Sequence, residues 1–363
     1  MNSLGFNKAE KDTKVIVAMS GGVDSSVAAV KLKKEGYNVI GVTLRLYNQT
    51  NISKSKTCCA GVDIYDAQKV AKQYDFPHYI FDFQDKFYNG VISNFINSYA
   101  NGETPVPCIQ CNQTVKFSDL LVESKKLNAD ALVTGHYAIR KGGLSGSKLF
   151  KAKDTKKDQS YFLFATLQEQ LDYVRFPLGN FLKSEIRNMA EDYKLTVSDK
   201  PDSQDICFVT SDSYRDLINK IQPEINKDGN IFDLNGNKIG IHRGISNYTI
   251  GQRKGIGVGG QEQPLYVCEV NKKQNYIVLA PIEKLQKNKI FFKNINWLEK
   301  NIKYEELKCS AKIRSTQNEI PGKLVINSNS GYFIFEEMVS ATSPGQACVF
   351  YKNDQVLGGG WIT

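Results

Sequence analysis

Short apolar runs alternate with amphipathic stretches from Val15 to about Gly135. The runs VIVAM, VIGVTLRLY and HYIFDF are rich in β-branched and aromatic residues and predict strands. Between them, SSVAAVKLKKEGY and DIYDAQKVAKQYDF have the apolar spacing of helices, and ADALVTGHY adds a strand that ends at Gly135-His136. This order predicts a parallel sheet with crossover helices. Because ligands bind beyond the carboxyl ends of such strands, the motifs after VIVAM and ALVT are expected to converge on one site.

The pattern changes twice in the rest of the chain. Between Phe150 and Thr210 it is basic and predicts helices, including one in FLKSEIRNMAEDYKL. From about Phe232 onward, short strands are separated by Asn-Gly, Lys-Gly and Gly-Gly turns. Pro and a lysine-rich stretch interrupt this pattern between Pro281 and Lys289. We therefore predict an α/β fold, a Rossmann-like parallel sheet with a helical extension, followed by small β-rich domains.

Charge and composition narrow the class of protein. The 363 residues contain 47 Lys and Arg against 38 Asp and Glu, a net charge of +9 that favours polyanionic partners, nucleic acid first. No window approaches the roughly 18 consecutive apolar residues of a membrane span. The polar segment from Met1 to Lys14 lacks the apolar core of a secretory signal, and we expect a frayed cytoplasmic tail. Eight cysteines in such a chain point to thiol chemistry or metal binding rather than a disulfide framework.

A glycine turn follows the first strand and opens the first helix. In Ser20-Gly21-Gly22-Val23-Asp24-Ser25-Ser26, backbone N–H groups can wrap a phosphate at the helix N-terminus, and the serines can add hydroxyl donors. Asp24 would repel a phosphate unless it binds Mg²⁺ or caps backbone amides. The Gly-Lys-Ser/Thr ending of a Walker A loop is absent. A strand-to-helix turn of small residues is the alternative interpretation.

SGGVDS resembles the pyrophosphate-loop motif of the N-type ATP pyrophosphatases, which implies cleavage of ATP between its α and β phosphates. Five further segments occur in order: CNQTVKF from Cys111, GHYA from Gly135, KDQSYFL from Lys157, SQDICF from Ser203 and TIGQRKGIG from Thr249. Together the six resemble the tRNA-specific 2-thiouridylase family, MnmA/TrmU, from about Lys14 to the C-terminus. The resemblance implies an adenine nucleotide alpha-hydrolase-like catalytic domain at 1–212, a central β-rich domain at 213–284 and a C-terminal β-barrel at 285–363.

The same resemblance implies a reaction. The family adenylates O2 of the wobble uridine in tRNAs for Lys, Glu and Gln, and sulfur from a cysteine persulfide then replaces the adenylated oxygen. Cys207 would carry the persulfide, received from a sulfur donor such as a cysteine desulfurase or a sulfur-relay protein, and Cys111 would be the partner nucleophile. Chemistry also requires two thiols, because a persulfide delivers sulfide only when a second thiol accepts the oxidation. Cys111 and Cys207 must therefore meet in the fold.

Further site residues follow from the resemblance. ATP is expected at Ala18, Met19, Ser20, Gly21, Gly22, Val23, Asp24, Ser25, Leu44 and Gly135, although Leu44 also fits a plain core position. The tRNA is expected at His136, Lys157, Asp158, Gln159, Arg314 and Gln346, and the lysines around KDQ also fit a solvated basic loop. The residue after Arg314 is usually tyrosine in relatives and is Ser315 here.

The loop expected to hold the target base, Val106-Pro107-Cys108, departs from the family pattern. Some relatives carry an aspartate at the third position as a proposed acid/base, where this chain has Cys108. A thiol, a water or the phosphate would then move the proton, or Cys108, Cys111 and Cys207 could hold three corners of an iron–sulfur cluster. A zinc site that includes the adjacent Cys58 and Cys59 is disfavoured by geometry.

Two other functions stay open on the sequence alone. One is an adenylating pyrophosphatase with a small-molecule acceptor, which would need neither Cys207 nor a basic second half. The other is a non-catalytic tRNA-binding protein, which the intact SGGVDS disfavours.

Overall fold

The computed structural model describes residues 1–47, 61–143, 146–202, 206–209, 213–260, 263–299, 305–340 and 342–363. Three sheets occur in this part of the chain: a five-stranded parallel sheet, a four-stranded sheet and an eight-stranded sheet that includes a closed barrel. Strands and helices are numbered along the chain.

The parallel sheet has the order β3-β2-β1-β4-β7, and every neighbouring pair is parallel. In β1, Val15, Ile16 and Val17 have no exposed surface, which explains the unbroken apolar run of a strand that is covered on both faces. The strands are β1 (Lys14–Ala18), β2 (Asn38–Arg45), β3 (His78–Asp82), β4 (Ala131–Thr134) and β7 (Val174–Arg175).

Helices cover both faces of this sheet. Val15 and Val17 pack in one core cluster with side chains of the helices α1, α2 and α8. Ile16 points to the other face, into a cluster that holds many aromatic residues. The helices are α1 (Val23–Lys34), α2 (Gly61–Gln73), α3 (Gln84–Phe87), α4 (Ser93–Ala100), α5 (Pro107–Cys111), α6 (Leu120–Lys126), α7 (Gln168–Tyr173), α8 (Lys183–Asp192) and α9 (Tyr214–Ile221).

Other helical turns are short. Two π-helical segments, Tyr88–Ile92 and Asn112–Asp119, continue α3 and α5. The 3₁₀ turns are Glu10–Asp12, Ser160–Leu163, Pro223–Ile225, Ile245–Asn247 and Ile282–Leu285.

The four-stranded sheet forms the central β-rich unit, with the order β10-β11-β8-β9. Its core contains Ile231, Val267, Ile277 and Leu279, each at most 1% exposed. The strands are β8 (Asp228–Phe232), β9 (Lys238–Arg243), β10 (Tyr266–Asn271) and β11 (Tyr276–Ala280).

The C-terminal unit is a closed antiparallel barrel, because β12 pairs with both β15 and β17. Its strands are β12 (Gln286–Trp297), β13 (Glu306–Lys312), β14 (Ile320–Asn327), β15 (Ser330–Ser340), β16 (Ala347–Lys352) and β17 (Gln355–Ile362). Two strands from the first part of the chain, β5 (Ile139–Lys141) and β6 (Lys148–Phe150), extend the barrel sheet through a β6–β17 pairing.

The predicted fold class is confirmed, with two corrections. The N-terminal segment is not frayed: Leu4 is 7% exposed, its carbonyl accepts a hydrogen bond from Arg175 Nε (2.8 Å), and Lys8 pairs with Asp130. The region from Phe150 to Thr210 is less helical than predicted, because β7 completes the parallel sheet there. Within the described residues, no helix has the length and apolar character needed to cross a membrane.

Candidate active site

The glycine turn after β1 is closed by its own serines. The Ser20 amide donates to Ser25 Oγ (3.1 Å), and Ser25 Oγ donates to the Gly22 carbonyl (3.3 Å). The Met19 amide donates to the Val42 carbonyl of β2 (2.8 Å), which anchors the start of the turn. Gly22 caps α1, so the first amides of that helix face the turn. The arrangement is that of a phosphate site at a helix N-terminus.

Two glycines make close approaches that a side chain would block. Gly21 has φ +74°, and a Cβ there would lie 2.2 Å from the Asp63 carbonyl oxygen of α2. Gly135, after β4, lies so close to the turn that a Cβ would be 2.9 Å from the Ser25 amide nitrogen. The ends of β1 and β4 therefore meet, as predicted for the two motifs.

We expect Gly21→Ala to impair ATP binding and to lower stability by about 1–3 kcal/mol, because the left-handed backbone and the Asp63 carbonyl both oppose a Cβ. Thermal melts with and without ATP measure both effects. Gly5→Ala is the matched control, because Gly5 also has a positive φ (+85°) but open space around it. Equal ATP-induced stabilisation in Gly21→Ala and wild type would contradict a phosphate role for the turn.

Asp24, in the first turn of α1, is held by residues far along the chain. The Tyr137 hydroxyl donates to Asp24 Oδ1 (2.7 Å), and Lys183 Nζ donates to both carboxylate oxygens (2.7 and 2.8 Å). Burial and the Asp24 carboxylate raise the pKa of Tyr137 well above its usual range, so its hydroxyl stays a donor. The Lys183 side chain is only 11% exposed.

Lys183 is shared with a second carboxylate, Asp202 (3.0 Å), which also pairs with Lys157 (2.8 Å) and Arg187 (2.9 Å). Burial alone would raise the pKa of Asp202, but hydrogen bonds from Lys157 and Lys183 outweigh it and lower the pKa to about 2. The network thus couples three cations to two carboxylates beside the phosphate turn.

Lys200 ties the same turn to α2. Its ammonium donates to the Gly21 carbonyl (3.0 Å) and to the carboxylates of Asp63 and Asp66. The side chain is one-quarter exposed. Lys200 therefore fixes the position of the turn.

Cys111 ends α5 and is 6% exposed, within the aromatic core cluster on one face of the sheet. Burial raises the pKa of its thiol, while the Lys116 ammonium acts in the opposite direction. Cys207 packs, half-buried, against the same cluster, and its backbone carbonyl accepts a hydrogen bond from the Tyr47 hydroxyl (2.7 Å). The fold thus brings both predicted cysteines to one cluster, although 96 positions separate them.

The π-helix Asn112–Asp119 begins directly after Cys111. Lys116 on this segment is half-buried and acts electrostatically on Cys111, Cys108 and His136 alike. Among the described residues it forms no ion pair. π-Helical turns are frequent at functional sites, and this one places a cation among the thiols.

His136 packs edge-on against the rings of both Phe117 and Phe176, with both centroid distances 6.1 Å. Its Nδ1 is 2.8 Å from the Thr134 hydroxyl. Burial, with a smaller contribution from Lys116, lowers the pKa of His136 to about 3. The ring is therefore neutral at physiological pH and can contact a ligand by hydrogen bonding, not by charge.

Known family models match most of the chain. Three family models match: "tRNA methyl transferase HUP domain" at residues 13–211, "tRNA methyl transferase PRC-barrel domain" at 215–281 and "Aminomethyltransferase beta-barrel domain" at 287–362. The chain is 51% identical over 362 residues to the tRNA-specific 2-thiouridylase MnmA of Orientia tsutsugamushi, covering 99% of this chain and 98% of the relative. It is 46% identical over 371 residues to the Rhodospirillum centenum protein of the same name, covering 100% and 94%. The chain belongs to the tRNA-specific 2-thiouridylase family.

As a 2-thiouridylase family member, the chain is expected to present Lys157, Asp158 and Gln159 to tRNA. In this structure each of these side chains makes contacts within the protein. Lys157 pairs with Asp202. The Asp158 side chain is 3% exposed and accepts hydrogen bonds from the backbone amides of Ala152 (3.0 Å) and Ser160 (3.2 Å). The Asp158 carboxylate therefore stabilises its own loop. A contact between Asp158 and tRNA stays a prediction.

Two hydrogen bonds of 2.9 Å join Gln159 to Tyr137. The Tyr137 backbone amide donates to the side-chain oxygen Oε1 of Gln159, and the Gln159 backbone amide donates to the Tyr137 carbonyl. KDQ thus supports the segment that carries Gly135 and His136. The direct tRNA contacts of Lys157 and Gln159 stay predictions.

The barrel residues predicted for tRNA differ in setting. Arg314 is exposed. Gln346 is half-buried, and its Nε2 donates to the Thr104 carbonyl (3.2 Å), two residues before the target-base loop of Val106, Pro107 and Cys108. Pro107 is buried and begins α5, while Cys108 is exposed. Gln346 therefore connects the barrel to the loop that leads into Cys111, and its contact with tRNA stays a prediction.

The remaining predicted positions are structural or lie outside the described residues. Leu44, on β2, is 8% exposed and belongs to the aromatic core cluster. This burial fits the alternative of a plain core residue, and a contact between Leu44 and adenine stays a prediction. Cys58, Cys59, Ser203, Gln204 and Asp205 fall outside the described residues.

The described cysteines do not fit the iron–sulfur hypothesis. No group of three or more His, Cys, Asp or Glu side chains within the described part of the chain is arranged to hold a metal ion. Cys108, Cys111 and Cys207 thus do not form three corners of a cluster in this structure.

Three residues of the site were not predicted from the sequence: Lys183, Lys200 and Asp202. Lys183 carried a signal, because it stands at the first position of α8, where a cation opposes the helix dipole. A lysine at the first position of a helix indicates an anionic partner outside that helix. Here the partners are the carboxylates of Asp24 and Asp202. Lys200 and Asp202 carried no comparable local signal, since their partners lie far along the chain.

Proposed function

We propose that this chain is a tRNA-uridine 2-sulfurtransferase. It adenylates O2 of the wobble uridine in tRNAs for Lys, Glu and Gln and replaces the adenylated oxygen by persulfide-derived sulfur, giving 2-thiouridine, AMP and pyrophosphate. The observation that carries the proposal is that Cys111 and Cys207 pack on one cluster. Lys116 acts electrostatically on both Cys111 and His136, and Gly135, next to His136, lies against the phosphate turn.

The phosphate turn serves the adenylation. We infer that its helix amides and Lys183 bind the phosphates of ATP, and that the Lys183 ammonium stabilises their developing negative charge. Mg²⁺, when bound, would neutralise phosphate charge; Asp24 is the carboxylate in the turn, but Lys183 already donates to both of its oxygens. Adenylation converts the uridine O2 into a leaving group, because AMP departs far more readily than an unactivated oxygen.

The cysteines serve the sulfur transfer. The Cys111 thiolate attacks the inner sulfur of the Cys207 persulfide, so the persulfide S–S bond breaks and a Cys111–Cys207 disulfide forms. The released hydrosulfide adds to C2 of the adenylated uridine, and AMP leaves with the former O2. The oxidation state balances, since the sulfane sulfur is reduced as the two cysteines are oxidised. An external thiol then restores both cysteines.

Lys116 favours the Cys111 thiolate within an otherwise apolar surrounding. His136, neutral at physiological pH, can accept or donate a hydrogen bond at the base without adding charge. With Cys108 in place of an aspartate, the proton transfer passes to a thiol, a water or the phosphate. We infer a cytoplasmic reaction that needs tRNA and a persulfide donor as partners.

The purified protein, given ATP–Mg²⁺ and sulfide without oxygen, should thiolate a tRNA-Lys transcript. Thiolated RNA is retarded in a mercury-containing gel, because mercury binds the new sulfur. Omission of ATP and a wobble-cytidine transcript are the controls, and both should abolish retardation. Unretarded RNA from protein whose cysteines are shown to be reduced would contradict the proposal.

A further inference from the structure

An exposed aromatic surface lies on the outside of the barrel. Along β12, Ile290 and Phe292 are buried at 3% and 2%, and the alternate residues Lys289, Phe291 and Lys293 face solvent. The Phe291 side chain is 53% exposed. A phenylalanine so placed contributes little to the barrel core, and its exposure requires another reason.

Tyr332 completes this surface from the neighbouring strand. It stands opposite Phe291 in the β12–β15 register, with the ring centroids 5.8 Å apart and an interplanar angle of 59°. Lys289 Nζ lies 3.7 Å from the Tyr332 centroid and 5.1 Å from the Phe291 centroid. We call Lys289, Phe291, Lys293 and Tyr332 the Phe291 face.

The charge of the Phe291 face selects the class of partner. Neither Lys289 nor Lys293 has a carboxylate within ion-pair distance in the part of the chain that the structure describes. By contrast, Lys323 on the neighbouring strand β14 pairs with Glu306 (2.6 Å). Lysines without a carboxylate partner beside an exposed phenylalanine ring match a single-stranded nucleic acid, whose bases stack on aromatic faces while its phosphates meet cations. A purely apolar partner would leave both ammonium groups unpaired.

The Phe291 face adjoins a residue predicted to contact tRNA. The Thr363 amide donates to the Phe291 carbonyl (3.1 Å), and the preceding residue, Ile362, donates its amide to the Gln346 carbonyl (2.8 Å). Gln346 and Phe291 thus flank the same two C-terminal residues. A tRNA that reaches Gln346 is therefore close to the Phe291 face.

We propose that the Phe291 face binds an unpaired nucleotide of the tRNA, with its base stacked on the exposed ring of Phe291 beside Tyr332 and its phosphates at Lys289 and Lys293. The inference rests on the proposed function, because it takes tRNA as the substrate. It adds a binding surface outside the catalytic unit, and this surface accounts for an exposed phenylalanine that the barrel core does not need.

Equilibrium binding of fluorescent tRNA-Lys to the full-length protein tests the stacking. Phe291→Ala should weaken binding roughly tenfold, Phe291→Leu should weaken it nearly as much, and Phe291→Trp should restore it, because only an aromatic ring stacks on a base. Met338→Ala is the matched control, since Met338 is a 63% exposed apolar side chain on β15. Unchanged melting temperatures confirm that the variants are folded.

The salt dependence tests the phosphate contact. Lys289→Gln should reduce the slope of log Kd against log salt by about 0.7–0.9, the release of one counterion, while Lys323→Gln should leave the slope unchanged because Glu306 already neutralises it. Tight wild-type binding that Phe291→Ala or Lys289→Gln does not alter overturns the Phe291 face and leaves the proposed function standing. No tRNA binding by wild type overturns both. A wild-type dimer that Phe291→Ala dissociates would assign the face to a second copy and overturn the inference.

Discussion

Cys207→Ser is expected to lower tRNA thiolation below about a thousandth of the wild-type rate while tRNA-dependent ATP–pyrophosphate exchange continues. With a persulfide donor as the only sulfur source, a hydroxyl in place of the Cys207 thiol cannot carry the persulfide, so sulfur never reaches C2. Adenylation continues because it depends on the phosphate turn, which is held by Lys183 and Lys200 and not by the cysteine. Mercury-gel retardation measures thiolation, and labelled pyrophosphate measures the exchange.

Two variants sharpen this test. Cys111→Ser should also stop thiolation, but its Cys207 should still accept and retain a persulfide, which mass spectrometry detects. Cys268→Ser is the control, because Cys268 lies in the central β-rich unit on β10 and should leave both activities unchanged. Loss of pyrophosphate exchange in folded Cys207→Ser would contradict the division of labour between the two half-reactions.

Lys183→Met is expected to reduce adenylation about 10²- to 10³-fold, the effect of removing one preorganised charge from a site where charge develops. Without its ammonium, Asp24 and Asp202 would also present less compensated negative charge to the phosphates of ATP. Both pyrophosphate exchange and thiolation should fall together, and tRNA binding should be retained. Lys183→Arg should recover only part of the rate, because a planar guanidinium does not replace a compact ammonium that three oxygens surround.

Lys8→Met separates this effect from the general loss of an ion pair. Lys8 forms a surface pair with Asp130 (2.9 Å) in the same unit of the fold, and its removal should change the rate little. Exchange within threefold of wild type in a folded Lys183→Met variant would show that Lys183 does not act on ATP.

The predictions that relied on local periodicity succeeded. The apolar run in β1 and the helical spacing in α1 and α2 foretold both element type and order, because each depends on neighbours within a few residues. The meeting of Gly21 and Gly135 followed from a general property of parallel sheets, whose strand ends lie at one edge.

The predictions that failed depended on distant partners. A polar N-terminal segment suggested fraying, but the Arg175 guanidinium donates to the Leu4 carbonyl. β6 is only three residues long and is formed because β17 offers its backbone from more than two hundred positions away. Neither partner is visible from the local sequence.

The sequence by itself determined the α/β class, the phosphate turn, the two cysteines and the family, because motif identity and periodicity are local properties of the chain. Only the tertiary structure decided that Lys183 and Tyr137 hold Asp24, and that Cys111 and Cys207 share one cluster. It also decided that the Asp158 carboxylate faces inward. These relations join residues far apart along the chain, and they exist only after strand pairing and core packing have fixed which side chains are neighbours.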